Sequence, residues 1–135
     1  MEDFPKQLIS PISAKLMGID GNVNLEVKLH SFVLELEGYS EEVNTEICLD
    51  AIDMPAHPSE LESSCYDFSI NPSSGYIDGS IYFFSAHNPV DVSRIHFGDI
   101  VDGRLSVSIF SRWALEFEQT GFKDFDIVVS THIKL

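Results

Sequence analysis

The chain has 135 residues, of which 44% are hydrophobic, 22% charged and 11% aromatic, the balance of one globular domain that buries a core without staples. Eight lysines and arginines stand against 22 aspartates and glutamates, a formal charge of -14. Such a field disfavours nucleic acid and anionic membranes as partners, since both need cations to displace their counterions, and favours a basic partner instead.

The first ten residues carry no periodic pattern and read as a loose arm. Beyond them the apolar period is two, the signature of strands. After the turn-forming pair Asp20-Gly21, Val23, Leu25, Val27 and Leu29 alternate with Asn24, Glu26, Lys28 and His30. Leu34 and Leu36 alternate with Glu35 and Glu37, and Ile47, Leu49 and Ala51 alternate with Cys48 and Asp50. The one helical signal is Pro58-Ser59-Glu60-Leu61-Glu62-Ser63-Ser64, where a serine is placed to cap and glutamates suit the first turn. Asn71-Pro72-Ser73-Ser74-Gly75 and His87-Asn88-Pro89 read as loops on either side of a strand that runs from Tyr76 through Ile81 and Phe83. A second turn pair, Asp102-Gly103, precedes Leu105, Val107 and Ile109, which alternate with Ser106 and Ser108. Trp113, Leu115 and Phe117 alternate with Ala114, Glu116 and Glu118, and a run from Phe125 to Leu135 closes the chain. One apolar and one polar face per strand indicate an antiparallel sheet with one wet side. The expected fold is mostly β: a single domain over 1–135, an antiparallel β-sandwich or barrel of about eight strands with at most one short helix.

No spacing in the chain builds a recognised site. Cys48 and Cys65 form neither a metal nor a redox motif, and are expected as free, buried thiols. No apolar run approaches a membrane span, and Met1-Glu2-Asp3-Phe4-Pro5-Lys6 lacks the apolar core of a secretory signal, so a cytoplasmic protein is expected. The carboxylate pairs Glu35/Glu37, Glu116/Glu118 and Asp124/Asp126 sit two apart on alternating runs, which suits a solvated sheet face better than a glycosidase site. The five histidines show no ligand spacing, and Gly-x-Ser-x-Gly is absent. No metal and no cofactor is expected.

The charge is unevenly distributed. Between Leu29 and Ser93 there is no lysine or arginine, while that stretch holds twelve of the 22 acids. Like charges on one surface repel, and a chain needing only solubility can intersperse both signs. This segregation points to a surface for a cationic partner, with Glu35, Glu37, Glu41, Glu42, Glu46, Asp50, Asp53, Glu60 and Glu62 as its candidate contacts.

Small size, acidity, β content and the lack of a catalytic motif together resemble a bacterial immunity protein, of the kind paired with polymorphic or contact-dependent toxins. The resemblance implies a cytoplasmic, non-enzymatic inhibitor that binds one cognate cationic, nuclease-like toxin. It carries over no individual functional residue. Two other readings stand beside it. One is a β-barrel carrier of an apolar small molecule, with Tyr76, Tyr82, Phe83, Phe84, Phe97, Trp113 and Phe117 lining an internal cavity. The other is a small enzyme that uses His57, His87 and Asp91 from loops.

Overall fold

The computed structural model describes residues 1–70 and 76–135. The loop expected at Asn71-Pro72-Ser73-Ser74-Gly75 lies outside the described residues. Ten strands follow a 3-10 turn over Lys6–Leu8: β1 (Pro11–Ile19), β2 (Asn22–Leu29), β3 (Phe32–Leu36), β4 (Tyr39–Val43), β5 (Glu46–Ile52), β6 (Cys65–Asp67), β7 (Asp78–Phe83), β8 (Ala86–Val101), β9 (Arg104–Trp113) and β10 (Phe125–Lys134). Among the described residues the one α-helix, α1 (Pro58–Leu61), is a single turn between β5 and β6. Its N-cap is His57 rather than the expected serine, with Pro58 inside the first turn, and no side chain caps it.

The principal sheet runs β6-β8-β7-β5-β2-β1-β10-β9, and β8 pairs with β9 as well, so seven strands close into a barrel. Among the described strands all pairings are antiparallel except β1 with β10, which run parallel at Ala14↔Ile133. Inward positions are apolar: Val23, Leu25 and Val27 on β2, Ile47 and Leu49 on β5, Leu105, Val107 and Ile109 on β9 are all buried. Alternation thus becomes a filled interior and a polar outer wall.

Two turns form as their sequences dictate. Gly21 takes φ 83° between β1 and β2, and Asp102 and Gly103 take φ 53° and 71° between β8 and β9, the positive pair a two-residue hairpin requires. Gly79 sits inside β7, where a Cβ would collide with the Val90 carbonyl, so the close approach of β7 to β8 needs glycine there.

The structure departs from the periodic reading at four places. His87-Asn88-Pro89 is strand, the start of β8, because Asn88 is buried and its amide donates to the carbonyls of Ile81 across the hairpin and of Ala86 on its own strand. Ala51 does not continue the inward row of β5. It takes φ 59° in a bulge, its N–H bonded to the Asn24 side chain, and Ile52 faces inward in its place. The alternation from Trp113 to Phe117 outlasts the strand: β9 stops at Trp113, the chain turns, and Phe117 is 74% exposed.

The fourth departure is the N-terminal arm, which is docked rather than loose. Glu2 exchanges backbone hydrogen bonds with Gly121 and Lys123, and Phe4 is only 5% exposed. The Phe4 ring lies 5.2–5.7 Å from the rings of Phe83, Trp113, Phe122 and Phe125, stacked on the last. The arm therefore plugs one end of the barrel, beneath a lid made by the β3–β4 hairpin and the segment after β9. Phe4→Ala is expected to lower unfolding stability by about 3 kcal/mol or more, as for other buried phenylalanines, whereas Phe117→Ala changes it by about 0.5 kcal/mol at most. Urea unfolding of the two variants checks this, and equal losses would refute the plug.

Candidate functional site

The barrel separates the nine candidate carboxylates by level. Strand direction places the β3–β4 hairpin, the β7–β8 turn and the plug at one end, and the turns at 20–21 and 102–103 with α1 at the other. Glu35, Glu37, Glu41 and Glu42 belong to the hairpin end, and Asp53, Glu60 and Glu62 to the α1 end. Only Glu46 and Asp50 stand on the wall between, on the outer face of β5. The nine do not form one surface.

Two of them have structural duties. Glu41 lies opposite the buried Leu34 and turns toward the protein, where its carboxylate accepts the Phe84 N–H at 2.9 Å. Glu62 accepts the Ile100 N–H at 2.7 Å and so ties α1 to β8. Glu37 leaves the strand for a turn at φ 48°, so it does not extend the outer row of Glu35.

The wall gathers acids that periodicity alone could not associate. Glu26 of β2 sits across from Cys48 of β5, and Asp50 of β5 directly across from Asp78 of β7. Asp78 and Asp91 line one groove of 210 Å³ together with His87. Asp91 pairs in register with Arg112, which bonds instead to Asp126 on its other side, at 3.1 Å. Reading outward from β2, Lys28 stands across from Glu46, and the acids then run Asp50, Asp78 and Asp91 before the first arginine. Strand order brings them together, and strand order is not local information.

The ionisation behaviour follows this crowding. Glu46 is held above the usual glutamate range, first by the hydrogen bond it shares with the Glu26 carboxyl and then by burial and the Glu26 charge, with Lys28 acting in opposition. Asp91 is also raised, by burial and then the Asp124 charge, against Arg112. Cys48, in the middle of the wall, is pushed up to about 11, chiefly by burial and then by the charges of Glu46, Glu26 and Asp50.

Among the described residues, the ion pairs are Arg94–Asp67, Arg112–Asp126 and Lys123–Asp3, all between exposed side chains. None includes Glu26, Glu46, Asp50, Asp78 or Asp91.

The constellations of the other two readings are dispersed. His57 caps α1 at one end, while His87 lies in β8 against Tyr82, ring centroids 4.8 Å apart. Asp91 shares the small groove with His87 but not with His57. Of the aromatics expected to line a cavity, Phe83, Phe97 and Trp113 fill the core, while Tyr76, Tyr82 and Phe117 are exposed. Among the described residues, no group of three or more His, Cys, Asp or Glu side chains is arranged to hold a metal ion.

No family model, curated protein or solved structure matches this chain. The wall therefore has to be interpreted from its own chemistry.

The thiols provide a direct check on that chemistry. Both are free, and Cys65 is exposed at the sheet edge rather than buried as expected. The thiolate is the reactive form, so Cys48 stays largely unreactive at pH 8. Iodoacetamide labelling at pH 8, mapped by mass spectrometry, is expected to modify Cys65 well before Cys48. Neutralising Glu46 and Asp50 as Gln and Asn should speed Cys48 labelling, and an unchanged rate would mean the wall exerts no such potential.

Proposed function

We propose that this chain is an acidic protein-binding module that neutralises a cationic, nuclease-like toxin domain, in the manner of a bacterial immunity protein, and that it does so with the β2–β5–β7–β8 wall. The observation that carries the reading is Asp50 directly across from Asp78 on the outer face, with Asp91 beyond and no cation between them. Like charges opposed across strands destabilise a sheet. Their repulsion is relieved when a basic surface docks on them.

The physics of such a partner fits the arrangement. Opposite potentials steer encounter and raise association rates, and an acidic wall seated in a phosphate-binding cleft blocks access of nucleic acid. The wall is a barrel side, a rigid strand-built surface that holds its carboxylates without reordering on binding. The reading places the protein in the cytoplasm with its partner, and it needs no catalysis and no cofactor. Among the described residues, no helix is long and apolar enough to cross a membrane.

The experiment is co-expression with the reading frame that lies immediately upstream in the source DNA, or with its C-terminal domain. That product is expected to arrest growth alone and to be neutralised by this chain through direct binding. A harmless neighbour, or a toxic one that this chain neither binds nor rescues, would contradict the proposal. With the bound pair in hand, Asp50→Lys with Asp78→Lys is expected to slow association roughly tenfold or more at low salt. Glu60→Lys, at the far end, leaves the rate nearly unchanged. Equal effects would move the interface off the wall.

A further inference from the structure

The barrel is split at one place. β1 and β10 run parallel and meet at Ala14↔Ile133, but β10 ends at Lys134 whereas β1 continues to Ile19. Past Ala14 the chain has no strand partner on that side, and the 56–59 segment before and within α1 crosses the gap. The half-buried Leu16 and Ile100, over the buried Ala14 and Ile133, line an open mouth of 810 Å³. Its floor is Ala14, Leu16, Ile100 and Ile133, with Ala56 and Pro58 on the far side. Leu16 and Ile100 remain half-buried although both are packed against the core. Barrel mouths of this size and lining are common sites for small ligands.

The rim has the opposite charge from the rest of the molecule. Lys15, Lys134 and His57 line the mouth. Arg104 lies directly across from Lys134 on β9, and Glu26 lies across from Lys15 on β2. Among the described residues, none of Lys15, Lys134 and Arg104 takes part in an ion pair. In a chain with eight lysines and arginines against 22 acids, Lys15 and Lys134 line this apolar opening and Arg104 stands across from one of them. Two of them, Lys134 and Arg104, oppose each other across strands, an arrangement that costs stability unless an anion sits between.

We propose that this mouth binds an amphipathic carboxylate of the fatty-acid type, its alkyl chain over Leu16, Ile100 and Ile133 and its carboxylate at Lys15 and Lys134. The charge complementarity selects the headgroup, because an anion is repelled by nearly every other surface of the protein. The apolar floor selects the tail. The site is at the opposite side of the barrel from the acidic wall's centre, and the inference is independent of the partner-binding reading.

The test is calorimetric titration of the full chain with decanoate below its micelle concentration, with butanoate as the short-chain control. Decanoate is expected to saturate a single site and butanoate to give no saturable signal. Two exposed or half-exposed changes that spare the core probe the two halves of the site. Lys15→Gln with Lys134→Gln removes the headgroup contacts, and Ala56→Glu sets a carboxylate against the tail. Each is expected to weaken decanoate binding roughly tenfold or more, the first by loss of the charge-assisted headgroup contacts and the second by a charge set against the apolar tail, with unfolding midpoints near that of the parent chain. Absence of saturable decanoate binding would overturn the proposal, and so would binding that neither variant weakens. Co-sedimentation with phosphatidylglycerol vesicles in the absence of decanoate binding would also overturn it, assigning the mouth to a lipid surface.

Discussion

β8 pairs with β7 along residues 86–89 and with β9 along residues 90–101, and this double pairing is the constraint on which the molecule rests. It turns a curved sheet into a closed wall with one inside and one outside. β8 manages the turn through two register shifts, between Val92 and Arg94 and between Phe97 and Ile100. Such bulges bend a strand and strengthen its twist. Once the wall closes, the inside belongs to apolar side chains and every charge must stand outside. A chain with so large an acidic excess then has no choice but to crowd carboxylates on its outer surface.

The ends of the barrel are solved differently, and the difference separates the two candidate surfaces. At one end Phe4 enters an aromatic group with Phe83, Trp113, Phe122 and Phe125, and the β3–β4 hairpin covers it. At the other, β10 stops short of β1 and α1 is too brief to fill the gap. The plugged end draws Glu41 into a structural hydrogen bond, and the α1 end draws in Glu62. Glu46 and Asp50, on the wall between, carry no such duty. The crowding of the wall's acids appears in the raised Glu46, and after burial it adds to the rise of the Cys48 thiol. The same closure that concentrates acids on one side leaves Lys15, Lys134 and Arg104 together at the open seam.

Local patterning made much of the fold legible. β2, β5, β9 and β10 follow from alternation, and the turns at Asp20-Gly21 and Asp102-Gly103 follow from their need for positive φ. β8 was hidden because His87-Asn88-Pro89 has loop chemistry, and only the Asn88 bonds to the Ile81 and Ala86 carbonyls make it strand. β1 was hidden because its sole buried residue is the small Ala14. Phe117 misled in the opposite sense, since a periodic run can outlast the pairing that makes it a strand. The acidic surface was legible as a charge bias but not as a place. Asp50 and Asp78 are 28 positions apart, and nothing short of the β5–β7 pairing brings them face to face. The nine residues chosen from the charge map followed the chain, and the barrel sorts side chains by level and face instead.

The wall holds its carboxylates against their own repulsion, through the packing beneath them. The most direct measurement is the urea midpoint of a variant with Glu46→Gln, Asp50→Asn and Asp78→Asn, compared with the parent chain at low and at high salt. Removing the repulsion is expected to raise the midpoint at low salt, and screening is expected to shrink the difference at high salt. A midpoint unchanged or lowered by neutralisation would show that these acids are not crowded, and would contradict the account of the wall.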